Sequence, residues 1–194
     1  VLSLDPADPE ALDALEALFT RTQRWTDLIG VIERRIEQTA DPDSREQLYV
    51  RMARIYDEQL GRPDDAVSSY KRVLELDPAS QTALSALDAL FTRQRMWSDL
   101  AENLEAQLAL AADDEQQIAL MLRLAALRET EMQQIEQAIE GYRSVLERDI
   151  GSQQALGALE RLGAEPAHEL VIADLLEPLY RQIGDYQKLI GAHE

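Results

Sequence analysis

Apolar residues recur along this chain at spacings of three and four, the period of one face of an α-helix. Leu12, Leu15 and Phe19 form a first stripe, and Trp25, Leu28, Ile32 and Ile36 a second. Leu48, Met52, Ile55 and Tyr56 mark a third, and Ala66, Val67, Tyr70, Val73 and Leu74 a fourth. The interruptions carry helix-end chemistry. Asp8-Pro9 supplies an N-cap followed by proline at the first helical position, and Asp41 precedes the third stripe. A short turn near Gln23 and the Gly61-Arg62-Pro63 break separate the stripes pairwise, and Asp77-Pro78 closes the set. Two antiparallel helix pairs are predicted, and no strand.

The set then repeats. Residues 5–76 align with 77–148 without a gap, and 26 of the 72 positions are identical. Trp25 falls on Trp97, Phe19 on Phe91, Leu28 on Leu100 and Tyr70 on Tyr142. Similarity arising only from an Ala/Leu/Glu-rich composition would not preserve such sparse aromatics. Each block therefore holds two units of about 34–38 residues. One helix pair cannot bury its own stripe, whereas stacked pairs share a continuous core. Ala53, Ala66, Ala125 and Ala138 recur at the same places, where two helices must approach closely.

This pattern resembles the tetratricopeptide repeat. In residues 46–79 the family's succession of bulky, small and aromatic positions and a closing proline is matched by Tyr49, Met52, Ala53, Tyr56, Ala66, Tyr70, Val73 and Pro78. One extra residue is placed in the Gly61-Arg62-Pro63 turn. Residues 118–150 match through Met121, Leu124, Ala125, Arg128, Ala138, Tyr142, Val145 and Ile150. The unit at 81–111 departs further, with Asp88 and Leu100 where small residues are usual. The resemblance implies an all-α, right-handed α-α superhelix, a solenoid of antiparallel helix pairs.

Residues 1–162 are expected to form these repeats, and 163–194 an irregular continuation or cap. The third block starts on schedule at Gln154-Ala155-Leu156, but Gly163 stands where an aromatic is due. Leu179, Tyr180, Tyr186 and Leu189 then resemble Leu90, Phe91, Trp97 and Leu100 at an offset of 89 residues instead of 72, room for an extra short helix. Pro178 is expected to kink or divide the helix it falls in. Val1–Pro6 matches the tail of the fourth helix, and Leu189–Glu194 the start of the second, so the chain reads as an excerpt of a longer array.

Composition narrows the chemistry. With 37 acidic and 19 basic side chains the formal charge is −18, which speaks against a phosphate-binding surface and hence against nucleic acid. There is no cysteine, and no apolar run long enough for direct membrane insertion. His168-Glu169 opens like a zinc-protease helix, but Ile172 occupies the place of the second histidine. Acidic pairs such as Glu136 with Glu140 are expected on any acidic helical surface. Trp25 and Trp97 sit on apolar stripes and read as core. No catalytic, metal or cofactor site is predicted.

Function is then expected from a surface. The resemblance implies that the first helix of each pair lines a binding groove. The candidates are Asp13, Ala17 and Arg21; Gln47, Arg54, Asp57 and Glu58; Ser85, Ala89 and Arg93; and Leu122, Ala126 and Glu129. The repeated Lys and Asn of the family's clamp for C-terminal carboxylates are absent. The expected function is a non-enzymatic scaffold for a peptide or protein segment. A structural spacer, a self-assembling array and a regulatory module of a larger protein are the alternatives. Weak end-to-end self-association is expected through Leu12, Leu15 and Phe19 at one end and Leu179, Tyr186 and Leu189 at the other.

Overall fold

The computed structural model describes residues 9–184. The sequence readings on Asp8, on Val1–Pro6, and on Tyr186 and Leu189 lie outside the described residues. Among those described, ten α-helices follow one another and no strand forms. The chain divides into two units. The first holds α1 (Pro9–Arg21), α2 (Trp25–Gln38), α3 (Pro42–Arg54), α4 (Pro63–Leu76) and α5 (Gln81–Gln94). The second holds α6 (Trp97–Leu110), α7 (Asp114–Thr130), α8 (Ile135–Arg148), α9 (Gln153–Gly163) and α10 (Glu169–Ile183). Within each unit every helix packs on the next.

The 72-residue period is physical. Helices α2 and α4 begin and end 72 residues before α6 and α8, and α3 and α5 start 72 residues before α7 and α9. The helix starts explain why. Asp41 and Asp113 are N-caps whose carboxylates accept the backbone N–H of Ser44 (2.9 Å) and Gln116 (2.7 Å). The turns inside the pairs each rest on one left-handed residue: Gln23, Gly61, Arg95 and Gln133, with φ of 55°, 60°, 57° and 55°. Only one of the four is glycine, so three turns hold a side chain in a conformation that favours glycine.

The extra residue sits one turn earlier than the sequence reading placed it. Helix α3 runs directly into a π-helical turn, Ile55–Gln59, in which Leu60 N–H donates to Ile55 O (3.1 Å). Met132 N–H donates to Leu127 O (3.2 Å) at the matching place after α7. Widening one helical turn accommodates an added residue and leaves the following turn free to keep its geometry.

The cores follow the stripes. Leu28, Ile32, Ala53, Ala66 and Val73 in the first unit are at most 1% exposed, as are Leu104, Ala125, Ala138, Val145 and Leu159 in the second. Each fully buried Leu, Ile or Val contributes about 1.5–3 kcal/mol. The four alanines are completely buried, and the crossing of α7 and α8 is so close that a Cβ on Gly141 would come within 2.9 Å of the Ala125 Cβ. Trp25 and Trp97 are only half-buried, with Trp25 packed on the cluster of Leu28, Ile29 and Ile32.

Two features of the last described helices are explained by packing. Gly163 replaces the aromatic because α10 crosses there: a Cβ at 163 would meet Ile172 Cγ2 at 3.0 Å. Helix α10 then runs unbroken through Pro178, so the proline does not divide it. Pro178 and Asp174 both face solvent, where water can serve the Asp174 carbonyl that proline leaves without a donor.

Candidate functional site

Within each unit the odd-numbered helices are joined by ion pairs. In the first unit Arg51 of α3 pairs with Glu16 of α1, and Arg93 of α5 with Asp57 in the π-helical turn. Glu16 is also 3.0 Å from Arg35 of α2, which in turn pairs with Asp13. In the second unit Arg161 of α9 donates to Glu129 of α7 at 2.6 Å. These pairs set neighbouring first helices side by side on one face. Since most of their side chains are half-exposed, they fix geometry more than they add stability.

The structure brings the predicted residues together unevenly. Asp13, Ala17 and Arg21 are exposed on α1 and line one recess of about 410 Å³ with Thr20, Arg35 and Arg51. Gln47 lines a neighbouring recess of about 530 Å³ with Leu12, Gln38 and Leu48, and Arg35 and Arg51 border both. Arg54 and Glu58 are exposed, as are Ser85, Ala89 and Arg93, while Asp57 is half-buried under Arg93. Arg54 also hydrogen-bonds the Tyr70 hydroxyl, whose pKa burial pushes up.

On α7 the residues Leu122, Ala126 and Glu129 are half-buried. Glu129 is spoken for: besides Arg161 it accepts a 2.7 Å hydrogen bond from the Tyr142 hydroxyl. Burial, and then this bond, push the Tyr142 pKa well above the ordinary phenol value. Glu129 is thus a packing and positioning group.

Sequence reasoning missed Glu16, Arg35 and Arg51, which border the recesses of the first unit. A signal existed for two of them: Arg51 recurs as Arg123, and Glu16 as Asp88, one period later. Nothing at position 107, a glutamine, repeats Arg35. Among the described residues no group of three or more His, Cys, Asp or Glu could hold a metal ion, and no helix is long and apolar enough to cross a membrane.

Stacked antiparallel helix pairs with a fixed sequence period define an all-α helical-repeat solenoid. Two family models, each described as tetratricopeptide repeat, match residues 11–46 and 46–80. The matched stretch, residues 11–80, thus carries the pattern of the tetratricopeptide repeat, a repeat that generally mediates protein–protein interaction, and the described residues as a whole form an all-α helical repeat. Among solved structures the chain is similar to MamA protein, with 16% identity over 95% of this chain and 87% of that one, at a TM-score of 0.46. It is also similar to a tetratricopeptide repeat protein from Parabacteroides merdae, with 15% identity over 94% and 76% of the two chains, at a TM-score of 0.49. No curated protein sequence matches the chain.

Proposed function

We propose that the chain is a non-enzymatic scaffold that holds a peptide or protein segment against the face of its odd-numbered helices. The observation that carries this is the surface of α1, α3 and α5. There small side chains, Ala17, Ser85 and Ala89, stand exposed between the charged groups Asp13, Arg21 and Arg54. Small residues leave room for a bound backbone, and flanking charges of both signs give its side chains partners. The matched family supports a protein ligand, and the charge of −18 favours a neutral or basic one over nucleic acid.

Peptides selected from a random display library on the immobilised chain test this reading. Ala17→Arg or Ala89→Arg should weaken their binding at least about tenfold by filling the face. Ser68→Arg, on the exposed side of α4, should not. A selection that yields no binder weakened by either face variant would contradict the assignment.

A further inference from the structure

The second unit carries a concavity that this function does not use. A recess of about 620 Å³ opens between α6, α7 and α8. Its floor is apolar: Leu108, Met121, Leu124 and Ala125, with the bare backbone of Gly141 as one wall. Arg128, Glu136, Glu140 and Ser144 form its rim. Glu105 holds Arg128 at 2.5 Å, and Arg143 holds Glu140 at 2.8 Å. Glu136 is exposed and is the rim charge left without a counterion.

The first unit shows what this place looks like when the protein fills it. One period earlier, Met121 is Tyr49, Arg128 is Tyr56, Gly141 is Ser69 and Ser144 is Arg72. Tyr49 and Tyr56 pack on the cluster that includes Ile36 and Met52, the counterparts of Leu108 and Leu124. These four exchanges each remove an aromatic ring or shorten a side chain, while at the rim Asp64, Asp65 and Ser68 give way to the longer Glu136, Gln137 and Glu140. The backbone plan is the same, and the filling is withdrawn.

We infer that this recess is a docking site for a protein segment presenting one bulky apolar side chain next to a lysine or arginine. The apolar floor takes the side chain where the first unit places its own tyrosines. Glu136 takes the basic neighbour, in keeping with the negative charge of the whole chain. The inference rests on the proposed protein-binding function for the nature of the ligand, and it adds a second surface, carried by the second unit.

The chain holds four methionines, so methyl labelling gives a sparse spectrum in which Met121 reports on the recess and Met52 on its counterpart. The probes are the peptides enriched from a random display library on the full chain. The expected peptides share a bulky apolar residue beside Lys or Arg and shift the Met121 methyl signal but not that of Met52. The double variant M121Y/R128Y, which installs the first unit's own residues, should weaken them at least about tenfold, and Glu136→Gln about threefold. Ser144→Arg blocks the same opening from the exposed rim and serves if the double variant unfolds.

Peptides held equally by these variants overturn the inference. If such peptides are instead lost with Ala17→Arg or Ala89→Arg, protein binding stands and only this site falls. A library without binders overturns both. A concentration-dependent Met121 shift without peptide would show a second copy of the chain in the recess and overturn the choice of a foreign segment.

Discussion

The turn between α3 and α4 and the turn between α7 and α8 use one backbone and two sets of side chains. In the first, Arg62 N–H donates to Tyr56 O at 2.8 Å; in the second, Gln134 N–H donates to Arg128 O at the same distance. Arg62 then lays its guanidinium over the Tyr56 ring, 5.0 Å from the centroid, and donates from Nε to Asp65 at 2.7 Å. The turn between α1 and α2 repeats this clasp: Arg24 lies 4.7 Å over Phe19 and donates to Asp27 at 2.7 Å. The second unit carries Arg128, Gln134 and Gln137 in place of Tyr56, Arg62 and Asp65, and no such clasp can form. The missing tyrosine is also what opens the recess beside Leu108. A repeat thus preserves its frame through buried small residues and caps, and varies what covers the frame.

The largest test of the common frame is overpacking. Ala53→Trp and Ala138→Trp should each destabilise by about 1–3 kcal/mol, because both sites are closed to solvent and neither helix pair can spread without losing its core. Urea midpoints would show it. Midpoints unchanged from the parent would place these alanines outside the close helix crossings.

The left-handed turn residues come next. Gln133→Gly should stabilise the second unit by about 1 kcal/mol, and Gly61→Gln should destabilise the first by a similar amount. Equal and opposite shifts would confirm that both turns have one conformation. The clasp is worth less. Arg62→Ala should cost about 0.5–1 kcal/mol through the lost stacking and ion pair, and Gln134→Ala less than about 0.5 kcal/mol.

The smallest effect appears in alkali. Tyr142 keeps its proton more tightly folded than unfolded, because its hydroxyl is buried and donates to Glu129. Its contribution is therefore complete below an ordinary phenol pKa of about 10 and is lost as the pH rises through the higher folded value. Burial raises Tyr56 and Tyr70 as well, so the first unit has its own alkaline loss. Tyr142→Phe should flatten the decline in urea midpoint between about pH 9 and about pH 11 but not abolish it.

Much of this was legible in the sequence because it repeats with a period. Small residues at 53, 66, 125 and 138 and caps at 41 and 113 recur in the sequence, whereas the turns near 23 and 61 recur in backbone and not in residue type, as Arg95 and Gln133. The glycine at 163 was visible as a departure, but its reason is a contact made only in the fold: the approach of Ile172, on a helix that starts 72 residues after α6. The site was harder to read. First-helix positions could be named from the resemblance, yet which of them are committed to ion pairs depends on neighbours 32–36 residues away, as with Asp57–Arg93 and Glu129–Arg161. The recess in the second unit is invisible in its own sequence and emerges only when Met121 and Arg128 are set against Tyr49 and Tyr56.

Amide hydrogen exchange at two residues tests the shared frame and its unequal cover most directly. Arg62 and Gln134 make the same 2.8 Å backbone bond, so their protection factors, corrected for sequence, should differ only through what lies over the turn. Both amides should be protected, with Arg62 exchanging several times more slowly, and the gap should close in Arg62→Ala. Equal protection in the parent chain, or a faster Arg62, would contradict the unequal cover.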